Sequence, residues 1–370
     1  MGESRLIQGR YRQLELIGRG GMGEVWRARD ESLGRHVAVK CLKPLGANHD
    51  RAFTHVVRER FRREARVAAA LQHRGITVVH DFGESEGVLY LVMELLDGRN
   101  LSELLAGHRH RPLPVADIVE IAEQVAAALA YCHEQAVVHR DLKPANIVRL
   151  GDGTVKICDF GVARLGHDIG FTSRLTGTGI AMGTPHYMSP EQIAGTEVDQ
   201  RSDLYSFGCV LYELATGVPP FDLDDAWSIL VGHRDTPPRP PRELRPELPV
   251  FLERVILDLL AKDPDDRPGD ARELAWRITA HRAAQAPVSA TAAPFPVPTA
   301  PFPAPGAPVP GGRMPPWTRG MTGGRPSAGA VPPTPRPDPA AGLSGEWIAR
   351  PATGPGDPLP GERPAPLHRP

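Results

Sequence analysis

Two short stretches place acidic and amide side chains directly after apolar segments. Asp141 and Asn146 lie in "VVHRDLKPANIV", and Asp159 lies in "TVKICDFGVAR". Each stretch begins with a β-branched apolar run, so the polar residues that follow are expected in a loop, where they can face a ligand rather than a core. Carboxylate and amide oxygens suit a hard cation such as Mg²⁺, which binds water and substrate phosphates at its other positions. The pattern therefore predicts a site for a metal ion and a phosphate.

A glycine-rich stretch near the N-terminus, "LIGRGGMGEVWRARD", is a second chemical signal. Gly18, Gly20 and Gly23 have the spacing G-x-G-x-x-G, which occurs both in dinucleotide-binding turns and in ATP-binding loops. A dinucleotide turn runs directly into a helix, but residues 25–30 alternate with the period of a strand. The turn "ESLGRH" and the β-branched run "VAVKCL" follow, so we expect an antiparallel hairpin. This disfavours a Rossmann site, and no Lys-Ser or Lys-Thr follows the glycines as a P-loop requires.

Lys40 lies in the second β-branched run, on the same strand face as Ala38. The spacing leaves two interpretations open: an edge lysine that points to water, or a buried cation that needs a partner. The next segment supplies a partner, because a helical period places Phe61, Glu64 and Ala68 on one apolar stripe. A carboxylate within such a stripe is unfavourable unless it meets a cation. We therefore expect an ion pair between Lys40 and Glu64.

Composition separates a folded part from a C-terminal tail. The chain has 370 residues, and more than half of its 40 prolines lie beyond residue 285. Because proline fixes φ and removes a backbone donor, we expect polyproline II or disorder in this tail. The net charge of −1 provides no bulk electrostatic basis for binding nucleic acid or an anionic membrane.

The cysteines and the apolar segments indicate a cytoplasmic protein. Four cysteines are scattered without paired or metal-ligand spacing, namely Cys41, Cys132, Cys158 and Cys209. They are expected to be reduced thiols. The N-terminus lacks an apolar core of the secretory kind, and no segment approaches the ~18 consecutive apolar residues of a membrane span.

On these residues, the sequence resembles the eukaryotic-like (Hanks-type) protein kinases, and within them the bacterial Ser/Thr kinases. The resemblance covers residues 11–281 and is carried by "GRGGMGEV", "VAVK", Glu64, "HRDLKPAN", "DFG", "GTPHYMSPE", "DLYSFG" and "DRP". It implies an α+β, two-lobed kinase fold, with a β-rich N-lobe over residues 11–96 and a mainly helical C-lobe over residues 97–281. Residues 1–10 are then an N-terminal extension, and residues 282–370 a disordered tail rich in Pro, Ala and Gly.

The resemblance implies four catalytic residues. Lys40 would hold the α- and β-phosphates of ATP, and Glu64 would keep it in place. Asp141 would be the catalytic base that takes the proton of the substrate hydroxyl. Lys143 would steady the γ-phosphate.

The resemblance also implies a Mg²⁺ site, with Mn²⁺ as the alternative ion, held by Asn146 and Asp159. The residues that it assigns to ATP are Ile17, Gly18, Arg19, Gly20, Gly21, Met22, Gly23, Glu24, Val25, Ala38, Lys40, Met93, Glu94 and Leu96. Among these, Met93 would lie behind the adenine, and the Glu94 carbonyl and Leu96 amide would bind it.

The resemblance gives a structural role to a further set of residues. One of them, together with Lys143, indicates which amino acid accepts the phosphate. The set is Arg140, Thr184, Glu191, Asp203 and Arg267. Glu191 would pair with Arg267, and Asp203 would brace the His-Arg-Asp loop. Lys143 and Thr184 are typical of the Ser/Thr kinases, so the acceptor is expected to be serine or threonine.

The segment between Asp159 and Glu191 is glycine-rich and polar and has no hydrophobic period, which predicts that it is mobile until it is ordered. Arg140 is a cation, and a phosphothreonine would supply it with an anionic partner. By resemblance the acceptors are Thr176 and Thr178, with the neighbouring residues 172–173 as weaker candidates. The alternative is that these are only loop hydroxyls.

Two alternative functions stay open. A pseudokinase would lack one of Lys40, Asp141, Asn146 and Asp159, all of which are present. The tail is either a docking arm for a polyproline-binding partner or a solubilising linker. The expected partners are proteins that carry Ser or Thr acceptors, together with a second copy of the chain in an activating homodimer.

Overall fold

The structure, a computed structural model, describes residues 5–20, 23–42, 51–160 and 185–285. All of them belong to one compact unit, Met1–Thr291. The Pro-rich residues from 286 onward lie outside the described residues. The disorder of the tail and the predicted domain boundaries therefore stay predictions.

The N-terminal part is a six-stranded antiparallel sheet in the order β1-β2-β3-β4-β6-β5. Its strands are β1 (Leu6–Ile7), β2 (Tyr11–Gly20), β3 (Gly23–Asp30), β4 (Arg35–Leu42), β5 (Val79–Ser85) and β6 (Val88–Glu94). Strand β1 lies within the predicted N-terminal extension and was not expected from the sequence. It pairs with β2 and so forms one edge of the sheet, and the side-chain amide of Gln8 donates to the carbonyl of Glu84 on β5, the opposite edge strand.

The predicted glycine hairpin is confirmed, because β2 and β3 pair antiparallel up to Gly20 opposite Gly23. Gly23 also lies close to the next strand. A Cβ atom built on it would be 2.0 Å from the Cys41 carbonyl oxygen, so the approach of β3 to β4 requires glycine here.

Strand β4 is buried on both faces, and this decides between the two interpretations of Lys40. Val37 and Val39 pack into one apolar cluster, and Ala38 packs into another on the opposite face. The second cluster is covered by helix α1 (Arg51–Ala70), through side chains that include Phe61. Lys40 is only 7% exposed, so it is a buried cation and not an edge residue.

The C-terminal part is mainly helical and contains a three-stranded sheet in the order β7-β8-β9. Its strands are β7 (Gly98–Asn100), β8 (Ile147–Leu150) and β9 (Val155–Ile157). The helices are α2 (Leu101–Gly107), α3 (Val115–Glu134), α4 (Pro190–Ala194), α5 (Gln200–Thr216), α6 (Ala226–Asp235), α7 (Pro241–Leu244), α8 (Val250–Leu259) and α9 (Ala271–Gln285).

Helix α5 is the centre of this helical part. Thirteen of its seventeen residues are buried, and α3, α8 and α9 contribute to the same apolar core. A helix that is buried all round holds its polar side chains in fixed positions, which matters for Asp203 in its first turn. Among the residues that the structure describes, no helix has the length and apolar character to cross a membrane.

Candidate active site

The loop between α3 and β8 brings three of the predicted site residues together. Lys143 Nζ lies 2.7 Å from Asp141 Oδ2. The Asn146 side-chain amide donates to the Asp141 carbonyl at 2.8 Å and to Asp141 Oδ2 at 3.2 Å. Asp141 is half-buried, so its carboxylate is held by two donors and still reaches solvent. Such a carboxylate can accept a proton from a substrate hydroxyl.

Asp203 braces this loop as predicted. Its Oδ2 atom accepts the His139 amide and its Oδ1 atom accepts the Arg140 amide, each at 2.8 Å. Arg140 has a φ of 68°, a left-handed conformation that is rare for a residue with a long side chain. His133 adds a third contact, with Nε2 2.9 Å from Asp203 Oδ2. The sequence analysis missed His133, because its spacing does not distinguish it from any other inward-facing residue of a helix.

The segments that contain the two predicted metal ligands, Asn146 and Asp159, lie side by side. The Cys158 amide donates to the Asn146 carbonyl at 2.8 Å, which places Asp159 next to the loop of Asp141. His139 joins the same two segments, since Nε2 lies 2.8 Å from the Cys158 carbonyl and the ring packs edge-on against Phe160. The described residues contain no cluster of three His, Cys, Asp or Glu side chains able to hold a metal by themselves.

Lys40 reaches this site from the sheet, with Nζ 2.8 Å from Asp159 Oδ2. Burial by itself would raise the pKa of Asp159, but the Lys40 ammonium outweighs it and holds the pKa below its usual value. Glu64 lies half-buried on α1 between Phe61 and Ala68, the predicted stripe. Its ion pair with Lys40 stays a prediction.

The end of β6 carries residues that the sequence analysis assigned to adenine binding, which stays a prediction. Met93 is buried and pairs with Ala38 across β4 and β6. The side chain of Glu94 accepts Lys156 Nζ at 2.7 Å and the Val78 amide at 2.8 Å. The carboxylate is therefore fixed on the side of β9, and the Lys156 contact is a second feature that the sequence analysis missed.

Other predicted ATP-binding residues lie on the hairpin. Ile17 and Arg19 are exposed on β2, Gly18 pairs with Val25, and Arg19 lies 2.9 Å from Glu24. Predicted site residues at Gly21, Met22, Thr176, Thr178 and Thr184 lie outside the described residues.

The predicted pair of Glu191 and Arg267 is present and bidentate, with N–O distances of 2.8 and 2.9 Å. Glu191 also accepts a hydrogen bond from the Ser202 hydroxyl. Burial alone would raise the pKa of Glu191, but these donors lower it to about 2. The pair fixes helix α4 against the C-terminal end of the fold.

Cys158 directly precedes Asp159, and its environment argues against a redox role. The Thr77 hydroxyl donates to its Sγ atom at 3.0 Å, and burial raises its pKa to about 12. A thiol with so high a pKa stays protonated near neutral pH and reacts slowly.

Comparison with known proteins agrees with this arrangement. Residues 11–282 match the model of the protein kinase domain family. A probable serine/threonine-protein kinase of Streptomyces coelicolor is 43% identical over 296 residues, which are 79% of this chain and 42% of that protein. The serine/threonine-protein kinase PknB of Mycobacterium leprae is 41% identical over 76% of this chain and 44% of its own length. The chain therefore spans less than half the length of these two relatives.

Solved structures give the same family. The crystal structure of the Mycobacterium tuberculosis PknI kinase domain has a TM-score of 0.59 and 31% identity, and the match covers 76% of this chain and 98% of that domain. Together with the arrangement of Lys40, Asp141, Asn146 and Asp159, these similarities establish that the chain belongs to the protein kinase domain family, as a Hanks-type serine/threonine kinase of the bacterial kind.

Proposed function

We propose that this chain transfers the γ-phosphoryl group of ATP to serine or threonine hydroxyls of proteins. Two neighbouring sets of contacts carry the proposal. In one, Lys143 and Asn146 hold Asp141; in the other, Lys40 forms an ion pair with Asp159. Phosphoryl transfer needs little covalent work from the protein, so catalysis depends on positioning and on charge.

Each side chain then has a defined task. Lys40 binds the phosphates of ATP through its buried ammonium group. Asp141 orients the acceptor hydroxyl and accepts its proton as the oxygen bonds to the γ-phosphorus. The bond from that phosphorus to the β–γ bridging oxygen breaks, and ADP leaves. Lys143 Nζ, 2.7 Å from Asp141 Oδ2, is close enough to the base to contact the same phosphoryl group.

Asp159 and Asn146 would hold Mg²⁺. The Asn146 amide nitrogen donates to Asp141, which leaves its side-chain oxygen as the donor atom, and a carboxylate with an amide oxygen suits a hard cation. When bound, the ion neutralises charge on the β- and γ-phosphates. Mn²⁺ has similar ligand preferences and is the alternative.

The adenine would lie against Ala38, Val25 and Met93, with the Glu94 carbonyl and the Leu96 amide as its hydrogen-bond partners. The side chain of Glu94 supports this assignment, because its contacts with Lys156 and Val78 hold the end of β6 in place.

The decisive experiment compares the full chain with Asp141→Asn. We expect transfer of the γ-phosphate to the chain itself and to myelin basic protein in the presence of Mg²⁺, and a loss of at least ~100-fold in the variant. Chelation of divalent cations with EDTA should abolish transfer. Equal inactivity of both forms would overturn the proposal and favour the pseudokinase.

The pseudokinase alternative is disfavoured, because it would lack one of Lys40, Asp141, Asn146 and Asp159, and all four are present. Four expectations remain predictions: a cytoplasmic location, an activating homodimer, autophosphorylation of residues 176 and 178, and a tail that docks polyproline-binding partners. Deletion of residues 286–370 tests the last one, since it should abolish partner capture and leave phosphoryl transfer intact.

A further inference from the structure

The peptide unit that joins Arg140 to Asp141 is held at both of its polar atoms. Its carbonyl oxygen, on Arg140, accepts the side-chain amide of Gln192 at 2.8 Å. Its N–H group, on Asp141, donates to His139 Nδ1 at 3.2 Å. A peptide unit is planar, so contacts at both atoms fix its rotation and with it the direction of the Asp141 Cα–Cβ bond.

This peptide unit follows a residue in an unfavourable conformation. Arg140 has a φ of 68°, and its own amide is held by Asp203. Left-handed backbone at such a residue persists only when the surroundings impose it. Asp203 controls the peptide unit before Arg140, whereas Gln192 controls the one after it.

Gln192 is itself held in place by a capping box at the start of α4. The side-chain oxygen of Gln192 accepts the backbone amide of Ser189 at 3.0 Å. The backbone amide of Gln192 donates to the Ser189 hydroxyl at 3.4 Å. The neighbouring Glu191 anchors the same helix to Arg267. With the side-chain oxygen occupied by the cap, the amide nitrogen is directed at the Arg140 carbonyl.

We propose that Gln192 is a positioning residue for phosphoryl transfer, acting through its hydrogen bond to the Arg140 carbonyl to orient the base Asp141. The inference rests on the proposed function and deepens it. Gln192 does not touch a reacting atom. It links helix α4, which begins where the segment between Asp159 and Glu191 ends, to the peptide unit that joins Arg140 to the base Asp141.

Gln192→Glu separates this role from helix capping. The carboxylate keeps an oxygen that can accept the Ser189 amide, and glutamate is favourable at this position of a helix. It cannot donate to the Arg140 carbonyl, and two oxygen atoms would face each other there. A residue that serves only the cap would therefore tolerate the change.

Gln200→Glu is the matched control. Gln200 also donates its side-chain amide to a backbone carbonyl near the start of a helix, that of Gly269 at 3.1 Å. Its hydrogen bond goes to Gly269, and neither residue is assigned to ATP, metal or base. The same chemical change is thus made at an equivalent contact that is not directed at the peptide unit of the base.

The experiment measures steady-state kcat and KM for ATP with myelin basic protein as acceptor, on full-length proteins that have first been dephosphorylated. We expect kcat of Gln192→Glu to fall about tenfold, because small misplacements of a catalytic group reduce rates strongly. KM for ATP should stay within about twofold and the melting temperature within about 2 °C, whereas Gln200→Glu should retain wild-type kcat.

An unchanged kcat in Gln192→Glu overturns the inference, as does an equal loss in Gln200→Glu or a loss that follows a drop in melting temperature. If Gln192→Glu does not fold, Gln192→Met removes the donor without adding charge. Because it also loses the oxygen that accepts the Ser189 amide, it is assayed well below its melting temperature, where the same fall in kcat is expected. An inactive wild-type chain would overturn the proposed function and this inference with it. An active wild type with a fully active Gln192→Glu overturns this inference alone.

Discussion

Lys40 Nζ lies 2.8 Å from Asp159 Oδ2, so the predicted phosphate ligand and the predicted metal ligand form an ion pair with each other. Lys40 is 7% exposed and therefore has little access to water as an alternative partner. We expect Mg²⁺ and ATP to replace this contact: the phosphates would bind Lys40, and the ion would bind Asp159. The pair holds both groups in position for their ligands.

Lys40→Met should reduce kcat/KM for ATP by about 100-fold or more, because it removes the cation that stabilises the phosphates. The side chains are similar in volume, so the variant should remain folded by circular dichroism. Phosphoryl transfer measured over a range of ATP concentrations checks this prediction.

The ion pair itself is tested by a double-mutant cycle with Lys40→Met and Asp159→Asn. We expect a coupling of about 1–2 kcal/mol in the free energy of unfolding in the nucleotide-free protein. Additive effects of the two changes would contradict the pair.

Glu191→Gln should destabilise the fold in a pH-dependent way. Burial alone would raise the pKa of Glu191, but its bonds to Arg267 and Ser202 hold it at about 2, below the ordinary 4.5. A carboxyl with a lowered pKa contributes stability above its unfolded pKa and loses it as the pH falls through the folded one. The shift corresponds to about 3 kcal/mol at neutral pH.

Urea unfolding of both proteins at pH 7, 4 and 3 measures this effect. The difference between wild type and Glu191→Gln should be largest at pH 7 and should shrink below pH ~4.5. Glu243→Gln is the control, since Glu243 pairs with Arg239 at the exposed surface and its loss should matter little at any pH. A difference that does not depend on pH would contradict the assigned cause.

Gly23→Ala should weaken the glycine hairpin, whereas Gly20→Ala should leave the fold intact. A Cβ atom on Gly23 would lie 2.0 Å from the Cys41 carbonyl oxygen, but none on Gly20 would meet a described atom within 4 Å. We expect Gly23→Ala to raise KM for ATP and to lower the melting temperature by several degrees. Equal effects of the two substitutions would contradict the close approach of β3 to β4.

The hairpin and the apolar stripe of α1 could be predicted because their signals are local. The alternation after Gly23 and the helical spacing of Phe61 and Ala68 each report one face of one element. Lys40 shows the limit of such patterns. Its strand is buried on both faces, and a period of two cannot reveal what covers each face.

Gln192 shows the same limit more sharply. The sequence "SPEQ" contains a capping-box pattern, which a local reading can detect. Its second contact joins it to Arg140, 52 residues earlier in the chain, and depends on how α4 packs against the loop. His133 and Lys156 were missed for the same reason, because their partners are set by packing and not by spacing.

Incubation with ATP and Mg²⁺ should place phosphate on Thr176, Thr178 or both. These residues lie outside the described part, so the prediction rests on the sequence and on Arg140. The Arg140 guanidinium contacts the Val198 carbonyl at 3.5 Å, a long contact that a phosphothreonine can replace with a charge-assisted one.

The activating role of this contact is tested by three variants. Thr176→Ala with Thr178→Ala should lower transfer to myelin basic protein by about tenfold, and Arg140→Gln should do the same, because each removes one side of the same contact. Combining all three should add little further loss, since residues that act through one contact are not additive. Asp141→Asn provides the phosphate-free reference for peptide mapping. If no phosphate is found between Leu165 and Met182 in the active wild type, the contact does not form, and the position of Arg140 is set by its backbone contacts with Asp203 and Gln192.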